Sequence, residues 1–191
     1  MKKIRRLKIV IIVLIFILLT ITGVYFYKSF TSGSKELEKV SKNSISEYGY
    51  TLYEGMNSLY EPLFLELHTL LTSDEINETK YAKLIGQMFV IDFYSLKDKT
   101  NNTDIGGLDF VSSDIIDNFK LKAENTIYKY AGHKKIELPN VSKIDSVVVE
   151  EKDNFYLVKI KWEYETDLEY ETEKELKFVK NNNKLILTEM S

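Results

Sequence analysis

The first 27 residues combine a basic start with an unbroken apolar run. Residues 9–27 contain no charged side chain, and five basic residues precede them, Lys2, Lys3, Arg5, Arg6 and Lys8. At about 1.5 Å of rise per residue, a helix over this run spans about 28 Å, close to the hydrocarbon thickness of a bilayer. The pattern therefore predicts a cytoplasmic tail over 1–8 and a transmembrane helix over 9–27.

The alternative for this run is a cleaved secretory signal. Its apolar core is longer than the roughly 7–15 residues usual for such signals, and no Ala-x-Ala cleavage site follows it. Tyr25, Phe26 and Tyr27 are typical of an aromatic belt at a membrane interface. We therefore favour a retained signal-anchor in a single-pass protein of the cell membrane, whose C-terminal part lies outside the cytoplasm.

Beyond the apolar run, the pattern changes once, from helical spacing to strand alternation. Residues 28–47 predict a polar juxtamembrane spacer, and 48–191 predict one extracytoplasmic domain. Apolar spacings of three and four predict three helices, near 59–71, 81–96 and 113–131. Alternation then predicts four strands, over 144–150, 155–165, 170–179 and 185–190. This order indicates an α+β fold with three helices packed on a curved four-stranded antiparallel sheet.

Charge and composition limit the classes of partner and of site that we expect for this chain. Residues 29–191 carry 20 basic and 29 acidic side chains, a net charge of −9, which argues against binding to nucleic acid. The chain has no cysteine, which excludes disulfides, thiol nucleophiles and thiolate metal sites. The richness in Lys, Ile and Asn suggests a bacterium with an AT-rich genome. A protein partner in the cell envelope is therefore expected.

Acidic side chains occupy every odd position across one predicted hairpin. They are Glu163, Glu165, Asp167, Glu169, Glu171, Glu173 and Glu175. Because side chains alternate along a strand, they share one face if even residues pair with even ones, around a centre near residue 168 or 169. Lys159, Lys161 and Lys177 lie on the same face, but we expect no lysine near the tip, where like charges would repel.

This acidic face has two interpretations. Glu163, Glu165, Asp167, Glu169, Glu171 and Glu173 are candidate residues for docking a basic protein partner. Alternatively, the charges form a solvated face that keeps the sheet from pairing with other sheets, and we favour this interpretation. A calcium site at the tip is less favoured, because cage sites use tight loops rich in Asp and Asn.

The sequence carries no motif for catalysis. The only histidines, His68 and His133, share no metal or triad spacing, and no phosphate-binding loop or nucleophile elbow is present. No catalytic, cofactor-binding or metal-binding residue is therefore predicted. Asp92 is the one candidate for a tuned carboxylate, with Asp104 or Tyr94 as its partner. We favour a structural role, in which Asp92 accepts hydrogen bonds from the loop 101–107.

The order of elements resembles a known layout. A basic tail, one apolar span, three helices and a meander containing 155–162, 174–179 and 184–188 are similar to the nuclear-transport-factor-2-like superfold. Within that superfold, the chain resembles the single-span scaffold subunits of type IV secretion and conjugation machines. The resemblance rests on element order, implies a cone-shaped domain with an assembly role, and carries over no functional residue.

These observations lead to three hypotheses. The first is a non-enzymatic, membrane-tethered scaffold domain that binds a protein partner and needs no cofactor. The second is a binding module in which Trp162, Tyr164 and Phe178 line a cone cavity for a small apolar ligand. The third and least favoured is a hydrolase or isomerase that uses Asp92. The sequence leaves the oligomeric state open.

Overall fold

The computed structural model describes residues 39–167 and 169–191, together with Thr20 and Thr22. No helix in this part of the chain is long and apolar enough to cross a membrane. Apart from Thr20 and Thr22, the residues of the predicted transmembrane helix over 9–27 lie outside the described residues. The predicted tail over 1–8 also lies outside them. The fold prediction, a transmembrane helix followed by helices on one sheet, is therefore corrected to an α+β fold that has, in the described residues, three α-helices and two antiparallel sheets.

One compact unit extends from Lys39 to Ser191. It begins with β1 (Ser41–Ile45), β2 (Tyr50–Tyr53), α1 (Tyr60–Leu71) and α2 (Glu78–Tyr94). A 3₁₀ turn (Leu108–Phe110) and α3 (Ile116–Asn125) follow. The unit ends with β3 (Val141–Lys152), β4 (Phe155–Tyr164), β5 (Glu173–Asn181) and β6 (Lys184–Met190), which form a meander in that order. Three helices followed by a four-stranded meander match the predicted order.

The core lies between α2 and one face of the meander. Helix α2 begins at an N-cap residue, Asn77, whose side chain accepts a hydrogen bond of 2.8 Å from the amide of Lys80. Most α2 side chains are buried, because α1 packs on one side of the helix and β3 and β4 on another. The even residues of β4 and β5, Tyr156 to Trp162 and Leu176 to Phe178, are buried in this core.

A two-stranded sheet extends across the predicted boundary between the spacer and the domain at residue 48. The sequence of β1, Ser-Lys-Asn-Ser-Ile, places four exposed residues before the buried Ile45, so it carries no alternation. Strand β2 alternates, and its Tyr50 and Leu52 are buried. The ring of Tyr50 stacks on that of Phe110 at 5.1 Å, which joins the small sheet to the core.

Helix α3 is shorter than predicted, and it ends at Asn125 instead of near Ala131. The side chains of Asn125 and Thr126 bond back to backbone carbonyls of the preceding turn, each at 2.7 Å, and such bonds compete with helix continuation. The chain then turns so that Tyr128 enters the core, where its ring is fully buried.

The hairpin between β4 and β5 has the predicted parity. Lys161 pairs with Glu173 and Val158 with Leu176, so odd residues oppose odd ones and even oppose even. The centre falls at Asp167, one or two residues before the predicted centre at 168 or 169. The strands end at Tyr164 and Glu173, which makes the connecting loop longer than the predicted turn.

Candidate functional site

The acidic side chains of the hairpin are mostly held in ion pairs within the domain. Glu163 pairs with Lys143 at 2.7 Å, and Glu165 with Lys97 at 2.8 Å. The remaining pairs join Glu171 to Lys174, and Glu173 to both Lys159 and Lys161. The expectation that the tip has no nearby lysine is therefore wrong, because Lys97 and Lys143 reach it from other parts of the chain and Lys174 lies three residues after Glu171.

These pairs change the electrostatics of the face. Hydrogen bonds from lysines, and from Asn140 in the case of Glu165, lower the pKa of Glu165 and of Glu173. Asp167 and Glu169 are exposed and form no ion pair with the described residues. The face is thus a ladder of alternating charges with two free acids at its tip, rather than a continuous negative surface.

The aromatic residues predicted to line a cavity are packed instead. Trp162 and Phe178 are 3% and 0% exposed, and Tyr164 is half-buried. The ring of Trp162 lies 4.6 Å from that of Tyr94 on α2. Phe178 packs against Gly86, where an added Cβ would be in van der Waals contact with its ring at 3.5 Å. These side chains fill the space between sheet and helix.

Asp92 lies where α2 meets the following loop, and both of its carboxylate oxygens are bound. Oδ2 accepts a hydrogen bond of 2.7 Å from the amide of Gly107, and Oδ1 pairs with Lys99 at 2.7 Å. The side chains of Asp92 and Lys99 are only 17% and 9% exposed. The structural interpretation of Asp92 requires hydrogen bonds from the loop 101–107, and the Gly107 amide belongs to that loop. Asp104 pairs instead with Lys39, and the hydroxyl of Tyr94 donates to the sulfur of Met190.

The same loop is held by a residue that the sequence did not single out. The hydroxyl of Tyr128 donates to the carbonyl of Phe93 at 2.7 Å and accepts from the amide of Gly106 at 2.9 Å. A Cβ at Gly106 would lie 2.2 Å from the carbonyl oxygen of Asp92, so only glycine allows this approach. The carboxylate of Asp92, the hydroxyl of Tyr128 and the amides of Gly106 and Gly107 are thus bound within the domain, as the structural interpretation of Asp92 expects.

An open cleft of about 610 Å³ lies beside this region. Its lining includes Lys97, Lys99, His133, Lys134, Glu137 and Glu165. Lys97 and Lys99 already pair with acids, and the three aromatic residues of the predicted cavity do not line the cleft. In residues 39–167 and 169–191, no group of three or more His, Asp or Glu side chains is placed to hold a metal ion.

The two outer strands of the meander differ in how they are covered. The outer side of β6 meets the segment after the 3₁₀ turn, where Val111 bridges Leu187 and the amide of Ser112 donates to the carbonyl of Leu187 at 2.9 Å. On the other side, β3 is an outer strand of 12 residues. Among the described residues, no further strand pairs with it.

The direction of the β3 backbone groups follows from the register. The amide of Trp162 donates to the carbonyl of Thr172, so the even residues of β4 bond toward β5 and its odd residues toward β3. Odd residues of β4 oppose odd residues of β3, as Lys161 opposes Asp145. The backbone groups of the even residues of β3 therefore point outward; they belong to Ile144, Ser146 and Val148.

Three features characterise this edge, which we name the β3 edge and define as residues 143–149. Its register is regular from Lys143 to Val148, between irregularities at Ser142 and Val149. Val147 and Val149 are 51% and 48% exposed. Of the outward amides, that of Ser146 is bound by its own neighbour, because Oδ1 of Asp145 accepts from it at 2.7 Å.

Comparisons with protein-family models, curated proteins and solved structures found no match to this chain. The resemblance to single-span scaffold subunits therefore stays a prediction. The β3 edge is a functional candidate that sequence reasoning missed. The Val-Val-Val run at 147–149 was its one signal, because exposed valines on an outer strand are a common site of strand pairing.

Proposed function

We propose that residues 39–191 form a non-enzymatic protein-binding domain that receives an extended segment of a partner protein along the β3 edge. The observation that supports this proposal is the row of outward backbone groups at Ile144, Ser146 and Val148. An added strand satisfies such groups, and its main-chain hydrogen bonds provide affinity. This mode of contact suits an assembly or scaffold subunit, the role that the sequence predicts.

The side chains of the edge define the chemistry of the partner. Ile144 and Val148 are half-buried on the side that faces the helices, and Val147 is exposed on the other side. A partner strand with β-branched or other apolar residues on its helix side would bury Ile144 and Val148, and the residues of its outer side would lie beside Val147. Apolar burial contributes about 25 cal/mol per Å² removed from water, so these contacts add to the backbone bonds.

The acidic hairpin is a weaker candidate for the same role. Glu163 and Glu165 are already paired with lysines, and a basic partner would have to replace those pairs. Exchanging one exposed ion pair for another changes the free energy by only about 0–1 kcal/mol. The hairpin charges therefore serve mainly to keep this part of the sheet solvated.

Site-specific photo-crosslinking in cells that produce the full chain tests the proposal. With the crosslinking residue at position 147, we expect a defined protein adduct that Ser146→Pro abolishes and Ser146→Ala retains. Proline removes the outward amide, whereas alanine keeps it. A crosslinker at Leu121, which is 62% exposed on α3, is the matched control and should not give this adduct. No adduct from position 147, or one that persists with Ser146→Pro, would overturn the proposal.

A further inference from the structure

We infer that the strand received by the β3 edge is β3 of a second copy of this chain, antiparallel, with Ser146 on the two-fold axis. The inference rests on the proposed function and names the partner. It follows from the pattern of outward backbone groups, from the side chains that the pairing brings together, and from the two irregularities that limit the edge.

The outward groups select one register. Antiparallel pairing requires outward residues to face outward residues, so even residues of one copy oppose even residues of the other. With Ser146 opposite the partner's Ser146, Ile144 lies opposite the partner's Val148, and all three outward residues of each copy are used. Shifting the centre by one residue either way leaves one outward residue opposite a position at or beyond an irregularity of the ladder, near Ser142 or Val149.

Side-chain chemistry favours the same register. On the helix side it pairs Ile144 with the partner's Val148, and apolar cross-strand pairs are stabilising. On the other side it places Asp145 opposite the partner's Val147, so no like charges are directly opposed. Centring the pair on residue 145 would instead place Asp145 against the partner's Asp145, which is destabilising.

Asp145 limits the strength of the pairing. In a single copy its carboxylate accepts the Ser146 amide at 2.7 Å, and that bond must break before the amide can donate to the second copy. Because the pair of copies is two-fold symmetric, one such bond is lost in each copy. Asp145→Ala should therefore strengthen self-association by about tenfold or more, since a tenfold change corresponds to about 1.4 kcal/mol.

The absence of cysteine from the chain makes disulfide trapping a direct test. Odd residues oppose each other without mutual hydrogen bonds, with Cα atoms about 4.5 Å apart, which is within disulfide range. Full chains carrying Asp145→Cys and Val147→Cys, with different tags, are mixed and oxidised. We expect a mixed disulfide dimer from this mixture and little dimer from either variant alone. A mixture of Val147→Cys with Leu121→Cys is the control and should not crosslink.

Each other outcome has a defined meaning. A dimer from Asp145→Cys alone, or from Val147→Cys alone, would overturn the register centred on Ser146. Absence of any disulfide dimer would overturn self-pairing. In that case a Ser146-dependent photo-adduct of position 147 with a different protein would leave the proposed function standing, whereas absence of both products would overturn the two proposals together. Ser146→Pro added to both cysteine variants should abolish the mixed dimer.

Discussion

Asp92 joins α2 to the loop after it, so its removal is expected to destabilise the domain. Asp92→Ala deprives the Gly107 amide of its acceptor and leaves the ammonium of Lys99, only 9% exposed, without a partner. Breaking a buried pair in this way costs about 3–5 kcal/mol, and the partial exposure of Asp92 places the expected loss at the lower end, about 3 kcal/mol. Thermal and urea unfolding measure it.

A matched variant separates the two bonds of Asp92. Asp92→Asn keeps an acceptor for the Gly107 amide and removes the charge opposite Lys99, so its loss of stability should be smaller than that of Asp92→Ala. Lys99→Met combined with Asp92→Ala should recover part of the loss, because no charge is then left unpaired. An unchanged melting temperature in Asp92→Ala would refute the structural role.

Asp104 makes the stability of the domain depend on acid pH. Burial alone would raise the pKa of Asp104, but the ion pair with Lys39 at 2.7 Å and the hydrogen bond from the Thr100 amide outweigh it and hold the pKa below its ordinary value of 3.8. A carboxylate with a lowered pKa stabilises the fold above its unfolded-state pKa, and this contribution is lost as pH falls through the folded pKa.

The prediction is a difference between two pH profiles. The free energy of unfolding of the wild-type chain should fall more steeply than that of Asp104→Asn as the pH decreases from about 5 to about 3. At neutral pH the variant should be less stable by about 1 kcal/mol or more. Glu137→Gln, at an exposed position, should follow the wild-type slope. Coincident slopes for Asp104→Asn and wild type would show that the pair with Lys39 contributes nothing.

At the scale of elements, alternation and spacing predict most of the domain. The meander and its hairpin parity follow from period-2 runs such as Tyr156 to Trp162, and α2 follows from its wide apolar stripe. Strand β1 could not be predicted from the sequence, because only Ile45 of its five residues is buried and no alternation results. The lysines that neutralise the hairpin were missed because Lys97 and Lys143 lie 68 and 20 residues from their partners.

Because the backbone groups of β3 point alternately outward and toward β4, proline should destabilise the domain less at position 146 than at position 147. Ser146→Pro removes an amide bound only by Asp145, so we expect a loss of about 1 kcal/mol and a cooperative unfolding transition. Val147→Pro removes an amide that faces β4 and leaves a carbonyl of the ladder without its donor, which costs at least about 2 kcal/mol more. Urea unfolding compares the two variants.

Alanine at the same two positions controls for the side chains. Ser146→Ala and Val147→Ala keep both amides, so each should be more stable than the proline variant at its position. If Ser146→Pro proved as destabilising as Val147→Pro, the backbone groups of the even residues would point toward β4. The β3 edge would then have a different set of outward groups.

At the scale of the whole molecule, the sequence predicts the fold better than it predicts the candidate site. Trp162 and Phe178 do not line the predicted cavity, because their side chains are buried between α2 and the sheet. Which residues of an outer strand point outward depends on its pairing with the neighbouring strand, here β4, whose Trp162 amide bonds toward β5 and so leaves the odd residues of β4 to face β3. A pattern within one strand cannot supply that information, so the β3 edge could be recognised only in the folded chain.

The extent of the folded unit is itself testable, because the structure places its start before the predicted domain boundary at residue 48. A fragment 48–191 lacks β1, the buried Ile45 and the Lys39 partner of Asp104, whereas a fragment 39–191 keeps all three. We expect the shorter fragment to be less stable by about 3 kcal/mol or more, from the lost apolar burial and the unpaired acid. Urea unfolding of both fragments measures the difference, and Ile45→Ala in the longer fragment should account for part of it. Equal stability of the two fragments would mean that β1 contributes nothing and that the folded unit begins at β2.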